Sequence, residues 1–231
     1  MSRSHLPPAS LSVLFEDNHL LVVNKPAGIP TMGVQPDEPS LLHVAKQYLK
    51  QKYQKPGNVY LGVVSRLDSL VSGVIVFART SKAAARLSEQ FRTQAVEKTY
   101  WAVVEGTGLA SAGTFEESLL KDEAAHRMRV VDRSRSGAQL ARLSFRRLRE
   151  FAHLTWVEVS LESGRKHQIR VQFSHHGHPI LGDKKYGGTG SFTGGIALHS
   201  RRLALSHPVS QERLAWTAPV GPAWKKLGIN E

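Results

Sequence analysis

Residues 99–161, TYWAVVEGTGLASAGTFEESLLKDEAAHRMRVVDRSRSGAQLARLSFRRLREFAHLTWVEVSL, decide the fold class. Their apolar and β-branched runs predict strands at Thr99–Val104, around Gly113–Leu120, at Met128–Val131, through Ala138–Arg146 and through Leu154–Leu161. Five strands in a row leave no room for crossover helices. Upstream, Leu11–Phe15 and Leu20–Asn24 read as a hairpin about Asp17-Asn18, and Pro26, Gly28 and Pro30 force a loop. Ser40 is a candidate cap for a helix LLHVAKQYLKQKY, running to about Tyr53. Val59–Val64 and Val74–Ala78 read as buried strands, interrupted by the polar island Ser65-Arg66-Leu67-Asp68-Ser69. Ser81 is expected to cap a second helix, KAAARLSEQF. Downstream, Ser163-Gly164 breaks the chain before a helix from about Lys166 to His176, which Gly177 ends. Gly187–Gly195 is a glycine-rich loop and Ala197–Leu205 a final strand. Strands outnumber helices without alternating with them, so the fold class is α+β with a mainly antiparallel sheet, not a doubly wound nucleotide fold. Residues 1–10 read as a flexible tail, and residues 11–231 as one domain.

Composition narrows the chemistry. The chain has 231 residues, 31 Lys and Arg against 19 Asp and Glu, and no cysteine. The missing thiol excludes a disulfide scaffold, a thiolate zinc site, an iron–sulfur cluster and a cysteine nucleophile. No apolar run approaches the roughly 18 residues of a membrane span, and MSRSHLPPAS lacks the apolar centre of a signal peptide. A soluble, cytoplasmic protein is expected. The excess charge of +12 is concentrated. Lys121–Glu150 holds nine Lys/Arg and four acids, and Ser163–Arg202 holds seven Lys/Arg, one acid and five histidines. Two separated basic clusters favour a polyanion, above all nucleic acid, whose phosphates reward convergent Lys and Arg through counterion release.

Several residues could carry chemistry. Asp68, in the polar break beside Arg66 and Ser72-Gly73, fits either a turn carboxylate paired with an arginine or an exposed nucleophile or base. In Ser163–Arg170, a helix starting near Lys166 puts Lys166 and Arg170 on one face with His167 beside them, and a helix N-terminus favours anions. Arg165, just before it, could hold a catalytic carboxylate ionised. His167, His175, His176 and His178 lack carboxylates at ligand spacing, with only Asp183 nearby, so a structural or RNA-contacting role ranks above a metal site. Tyr100 is either core or a platform for a flipped base. Lys25, at the tip of a Pro/Gly loop, is either solvated or in contact with phosphate.

Taken in order, four segments resemble the RluA-like family of pseudouridine synthases. They are LLVVNKPAGIP, VVSRLDSLVSGVIVFART, EKTYWAVVEG and SGRKHQIRVQFSHHGHPILGDKKYGG, which run from Leu20 to Gly188. The resemblance implies a mixed, mainly antiparallel sheet with flanking helices and a central catalytic cleft. It also implies isomerisation of uridine to pseudouridine in RNA without cofactor or metal; a structured ribosomal or transfer RNA is the expected substrate, and a monomer is expected. By resemblance Asp68 is the essential carboxylate, Tyr100 packs beside the uracil, and Arg165 pairs with the Asp. Arg66 helps extrude the base, and Lys25, Lys166, His167 and Arg170 contact RNA.

The chain departs from the family pattern at four places. Ser65 replaces a His, Val71 a Thr and Lys166 a frequent Thr, and Ser69 stands where a charged residue is common. These changes bear on substrate choice and rate rather than on the chemistry. About ten residues precede the first strand, so the small N-terminal RNA-binding domain of many relatives is not expected. The alternatives are a non-catalytic RNA-binding relative and a His-dependent metal hydrolase.

Overall fold

In the computed structural model, which describes residues 11–33 and 39–230, the first hairpin forms because an aspartate closes its turn. Asp17 accepts from the backbone N–H of His19 (2.7 Å) and Leu20 (2.6 Å), joining β1 (Ser12–Glu16) to β2 (Leu20–Lys25). Ser40 caps α1 (Leu41–Lys52) as expected, accepting from His43 N–H. The cap of α2 (Ser81–Arg92) is Thr80 rather than Ser81. Thr80 has the extended backbone a cap needs and accepts from Ala83 N–H, while Ser81 is already helical. The expected tail, residues 1–10, lies outside the described residues.

The chain divides into two compact units, one of residues up to Val96 together with those from Ser200 onward, the other Glu97–His199. The first unit adds β3 (Gly62–Val63), β4 (Ser72–Ala78), β10 (Leu198–Ser206), which opens two residues before the unit boundary, β11 (Arg213–Thr217) and α4 (Pro222–Lys225). Its strands lie in the order β1-β2-β4-β10, with β11 on β10 and β3 on β4. β2 and β4 are antiparallel from Leu20↔Ala78 to Lys25↔Gly73. Leu20, Val22, Val74, Val76, Leu203, Leu205 and Trp216 form a core that Ala83 and Leu87 of α2 cover. Gly73, at φ +118°, is required, since a Cβ there would sit 2.2 Å from the carbonyl oxygen of Ser200.

The second unit contains β5 (Glu97–Glu105), β6 (Ala112–Asp122), β7 (Arg127–Val131), β8 (Gln139–Phe151), β9 (Leu154–Leu161) and α3 (Gln168–His175). The strand order is β5-β9-β8-β6-β7, antiparallel at every ladder. One sheet face packs against α3 through Leu119, Met128, Ala141, Val171 and Tyr186, with Phe115, Phe145 and Phe173 clustered beside them. No helix among the described residues is long and apolar enough to cross a membrane.

The α+β class and the antiparallel sheet follow the strand reading. Three details differ. Val59 and Leu61 are buried, but only Gly62 and Val63 join a ladder, because apolar composition reports burial rather than pairing. β11 was not anticipated; it is a short strand whose alternation leaves only Trp216 buried. The third helix begins at Gln168, not Lys166, because His167 takes a left-handed backbone at φ +54°.

Candidate active site

Two segments of the first unit, residues 24–31 and 65–71, are bound to one another through both backbone and side chains. Gly28 N–H donates to Ser69 C=O at 2.7 Å. The Thr31 hydroxyl donates to Leu67 C=O (2.8 Å) and accepts from Leu67 N–H (3.1 Å). Leu67 is buried, and the half-buried Asp68 and exposed Arg66 flank it. The Asp68 carbonyl accepts from Val71 N–H, closing the turn into β4. A carboxylate and an arginine are thus held on a short, anchored loop, the rigid presentation a reacting group needs.

Lys25 corrects its expectation. It is the buried last residue of β2, with no exposed surface, rather than a solvated loop-tip cation. Its Nζ donates to the carbonyls of Ile29 (2.7 Å), Pro26 (2.9 Å) and Ser69 (3.2 Å). An ammonium has three protons, and all three are committed inside the protein, so none is left for a phosphate. Burial pulls its pKa down to about 7, opposed by attraction to the Asp68 carboxylate. Lys25 therefore joins the two loops and places positive charge near Asp68.

The second unit carries the remaining expected residues. Tyr100 is half-buried on β5, opposite Val159. Arg165 lies in the Ser163–Gln168 turn, exposed, its Nε donating to Leu140 C=O at 3.1 Å. Gln168 staples this turn. Its Oε1 accepts from Ser163 Oγ (2.8 Å) and Arg165 N–H (3.0 Å), and its Nε2 donates to Arg142 C=O (3.1 Å). Sequence reasoning passed over Gln168, although an amide beside a Ser-Gly break is the residue type that can satisfy both donors and acceptors of a turn. Lys166 is exposed ahead of the helix.

One further expectation is corrected here. Arg170 does not share a solvent face with Lys166. It is 4% exposed and forms a bidentate pair with Asp183 (2.6 and 2.8 Å), its guanidinium 5.0 Å above the Tyr186 ring. A buried guanidinium needs such a partner, and one so held is not available to RNA. His167 is half-buried, its Nδ1 bonded to the Tyr186 hydroxyl at 2.7 Å, which in turn accepts from Met128 N–H. The histidines beyond it disperse: His176 Nε2 meets Glu117 at 2.7 Å, and His178 Nδ1 lies 3.2 Å from Glu105 C=O. Among the described residues no three His, Asp or Glu side chains group as metal ligands.

The charge clusters are also sorted by their partners. Lys121, Arg142, Arg146 and Arg147 pair with glutamates in the same unit. Arg127, Arg129, Arg133 and Arg135, on β7 and the turn after it, are exposed; Arg127 and Arg129 attract the Asp122 carboxylate, which helps hold its pKa down.

Comparison with known proteins agrees with this arrangement of motifs. Residues 19–175 match the model of the RNA pseudouridylate synthase family. The chain is 36% identical over 220 residues to the uncharacterized RNA pseudouridine synthase YhcT of Bacillus subtilis, covering 94% of this chain and 71% of that one. It is 33% identical over 228 residues to ribosomal large subunit pseudouridine synthase D of Pseudomonas aeruginosa, covering 91% and 68%. Among solved structures, human RNA pseudouridylate synthase domain containing 4 superposes with a TM-score of 0.78 at 25% identity, over 95% of this chain and 94% of that one. The chain belongs to the RNA pseudouridylate synthase family and is an intramolecular isomerase that acts on RNA.

Proposed function

We propose that the protein isomerises particular uridines of structured ribosomal or transfer RNA in the cytoplasm, with Asp68 as the catalytic carboxylate. The observation that carries this reading is the anchored Ser65–Val71 loop, which Thr31 and the buried Lys25 hold while Asp68 stays half-buried. Breaking the C1′–N1 bond develops positive charge at the anomeric carbon, and a fixed carboxylate stabilises that charge or bonds to it. The detached uracil must turn so that C5 replaces N1, which calls for a closed pocket with an aromatic wall. Tyr100 supplies that wall. Arg165 matches the arginine that partners this carboxylate in the family and has that role in this reading. A uridine inside structured RNA has to be flipped out first, and Arg66, exposed beside Asp68, props the vacated stack. Lys166 and the exposed arginines of the β7 region bind the phosphate backbone. Neither Lys25 nor Arg170 contacts RNA in this reading.

Asp68→Asn, assayed for pseudouridine on bulk ribosomal and transfer RNA beside the unaltered protein, tests the assignment. Product should fall to background while RNA affinity stays within about threefold, since the substitution removes a charge at the sugar and no phosphate contact. If the unaltered protein makes no pseudouridine on any of these RNAs, the non-catalytic RNA-binding alternative replaces this reading. That alternative draws on Ser65 and Val71, the two departures that flank Asp68 in sequence.

A further inference from the structure

Lys98, in the second unit, is left without a task by the reading above. It precedes Tyr100 by two residues on β5, so both side chains leave the same face of the strand, about 7 Å apart along it. Its ammonium rests against the Ser163–Gln168 turn, where a Cβ on Gly164 would lie 3.8 Å from Nζ. That is ordinary van der Waals distance, so the ammonium lies alongside residue 164, the residue before Arg165. Lys98 is half-buried, yet it makes no hydrogen bond and no ion pair with any described residue. Burial alone lowers its pKa, with no protein charge or acceptor working against the shift. A desolvated ammonium without a partner destabilises the fold, and such a cost is retained where a ligand supplies the missing acceptor.

We propose that Lys98 is a further catalytic residue, whose ammonium hydrogen-bonds an oxygen of the uracil while that base is detached from the ribose. This rests on the reading of Tyr100 as the residue beside the uracil. When the C1′–N1 bond breaks, its electron pair leaves with N1, and the negative charge spreads over the ring nitrogens and the O2 and O4 oxygens. A fixed ammonium on the Tyr100 face stabilises that charge more than it stabilises the neutral base of the bound substrate. C5 then bonds to C1′ with a ring electron pair, the proton lost from C5 is matched by one gained at N1, and Lys98 keeps its own proton throughout. The occupant is a uracil oxygen rather than a phosphate, because backbone phosphates are met by exposed cations, and this chain already presents those at Lys166 and Arg127–Arg135.

The test uses the full chain and large-subunit ribosomal RNA and transfer RNA transcribed in vitro, with pseudouridine followed in single turnover. Lys98→Met and Lys98→Gln should slow the rate at saturating RNA by about 100-fold. RNA affinity should stay within about threefold and its salt slope unchanged, because no phosphate contact is removed. Lys98→Arg should recover part of the rate, and the melting temperature of Lys98→Met should not fall. An unchanged saturated rate overturns the proposal. So does a loss confined to affinity with a salt slope shallower by about 0.7, the mark of a phosphate contact. Unfolding of both neutral variants also overturns it, by showing that the ammonium serves the fold. If the unaltered protein makes no pseudouridine while binding RNA, the functional reading fails and this inference with it; if only the Lys98 variants match the unaltered rate, the inference alone fails.

Discussion

Lys25 and Lys98 are both withdrawn from water, but their surroundings differ in kind. Lys25 sits among three carbonyl oxygens contributed by two loops, and nothing outside the protein is needed to complete it. Lys98 lies against a turn that a neutral amide, Gln168, already satisfies, so the lysine has no acceptor there. The same residue type is a fastener in the first unit and an unfilled donor in the second. Arg170 repeats the first pattern inside the second unit, its guanidinium matched to Asp183. A buried cation with complete partners serves the fold, and one without them is available to a substrate.

The contrast breaks most visibly at the paired cations. Arg170→Met strands the Asp183 carboxylate in the core and should cost about 3–5 kcal/mol of stability in urea unfolding. A change below about 1 kcal/mol would mean that the pair is not the anchor of the GDKKYGG segment. Lys25→Met takes the donor from the Pro26 and Ile29 carbonyls, while Ser69 C=O keeps its bond from Gly28 N–H; unsatisfied buried acceptors cost about 1–3 kcal/mol each, partly offset by removing a desolvated charge. A net loss of about 3 kcal/mol is expected in the same assay. Gln168→Met keeps the cations but loosens the turn that carries Arg165. Single-turnover rates should fall by about tenfold with a smaller stability loss than Arg170→Met, and unaltered rates would show that Arg165 is positioned by other contacts.

Titration sharpens the same comparison. Burial holds the Lys25 ammonium at about 7 in the fold, against about 10.4 in an unfolded chain. Between these values the unfolded chain binds more protons, so this residue makes stability rise with pH over that window, by at most about 1.4 kcal/mol per pH unit. The rise should be missing from Lys25→Met, and an identical pH dependence in the two proteins would rule it out. The smallest effect concerns the exposed cations. Replacing Arg127 or Arg129 by Gln should make the logarithmic salt dependence of RNA binding shallower by about 0.7 each, read by filter binding across salt concentrations. Gln at Arg146, which already pairs with Glu158 at 3.0 Å, should change it less.

Much of the architecture was legible from local rules. The five strands between Thr99 and Leu161 announce themselves by β-branched and apolar runs, and Ser40 by cap chemistry. Where local signals compete, boundaries moved: Thr80 and Ser81 are both cap residues, and only the backbone angles choose Thr80. The candidate site was legible as motifs, but the partners of its side chains were not. Lys25 looked solvated because its neighbours in sequence are a Pro/Gly loop, while the carbonyl that helps bury it belongs to Ser69, 44 residues away. Arg170 looked like the outer face of a basic helix, and its partner lies 13 residues on, past a turn.

Sequence by itself determined the strand-rich α+β class, the order of the motifs, the absence of thiol chemistry and the membership in a family of RNA isomerases. These depend on residue type and spacing, which are local and survive without coordinates. Only the tertiary structure decided which cations turn inward and which stay available, because a charge enters the interior only where distant segments bring acceptors to it. That is why Lys25 and Arg170 belong to the fold, while Lys98, only half-buried and without an acceptor, is left for the proposed contact with the substrate.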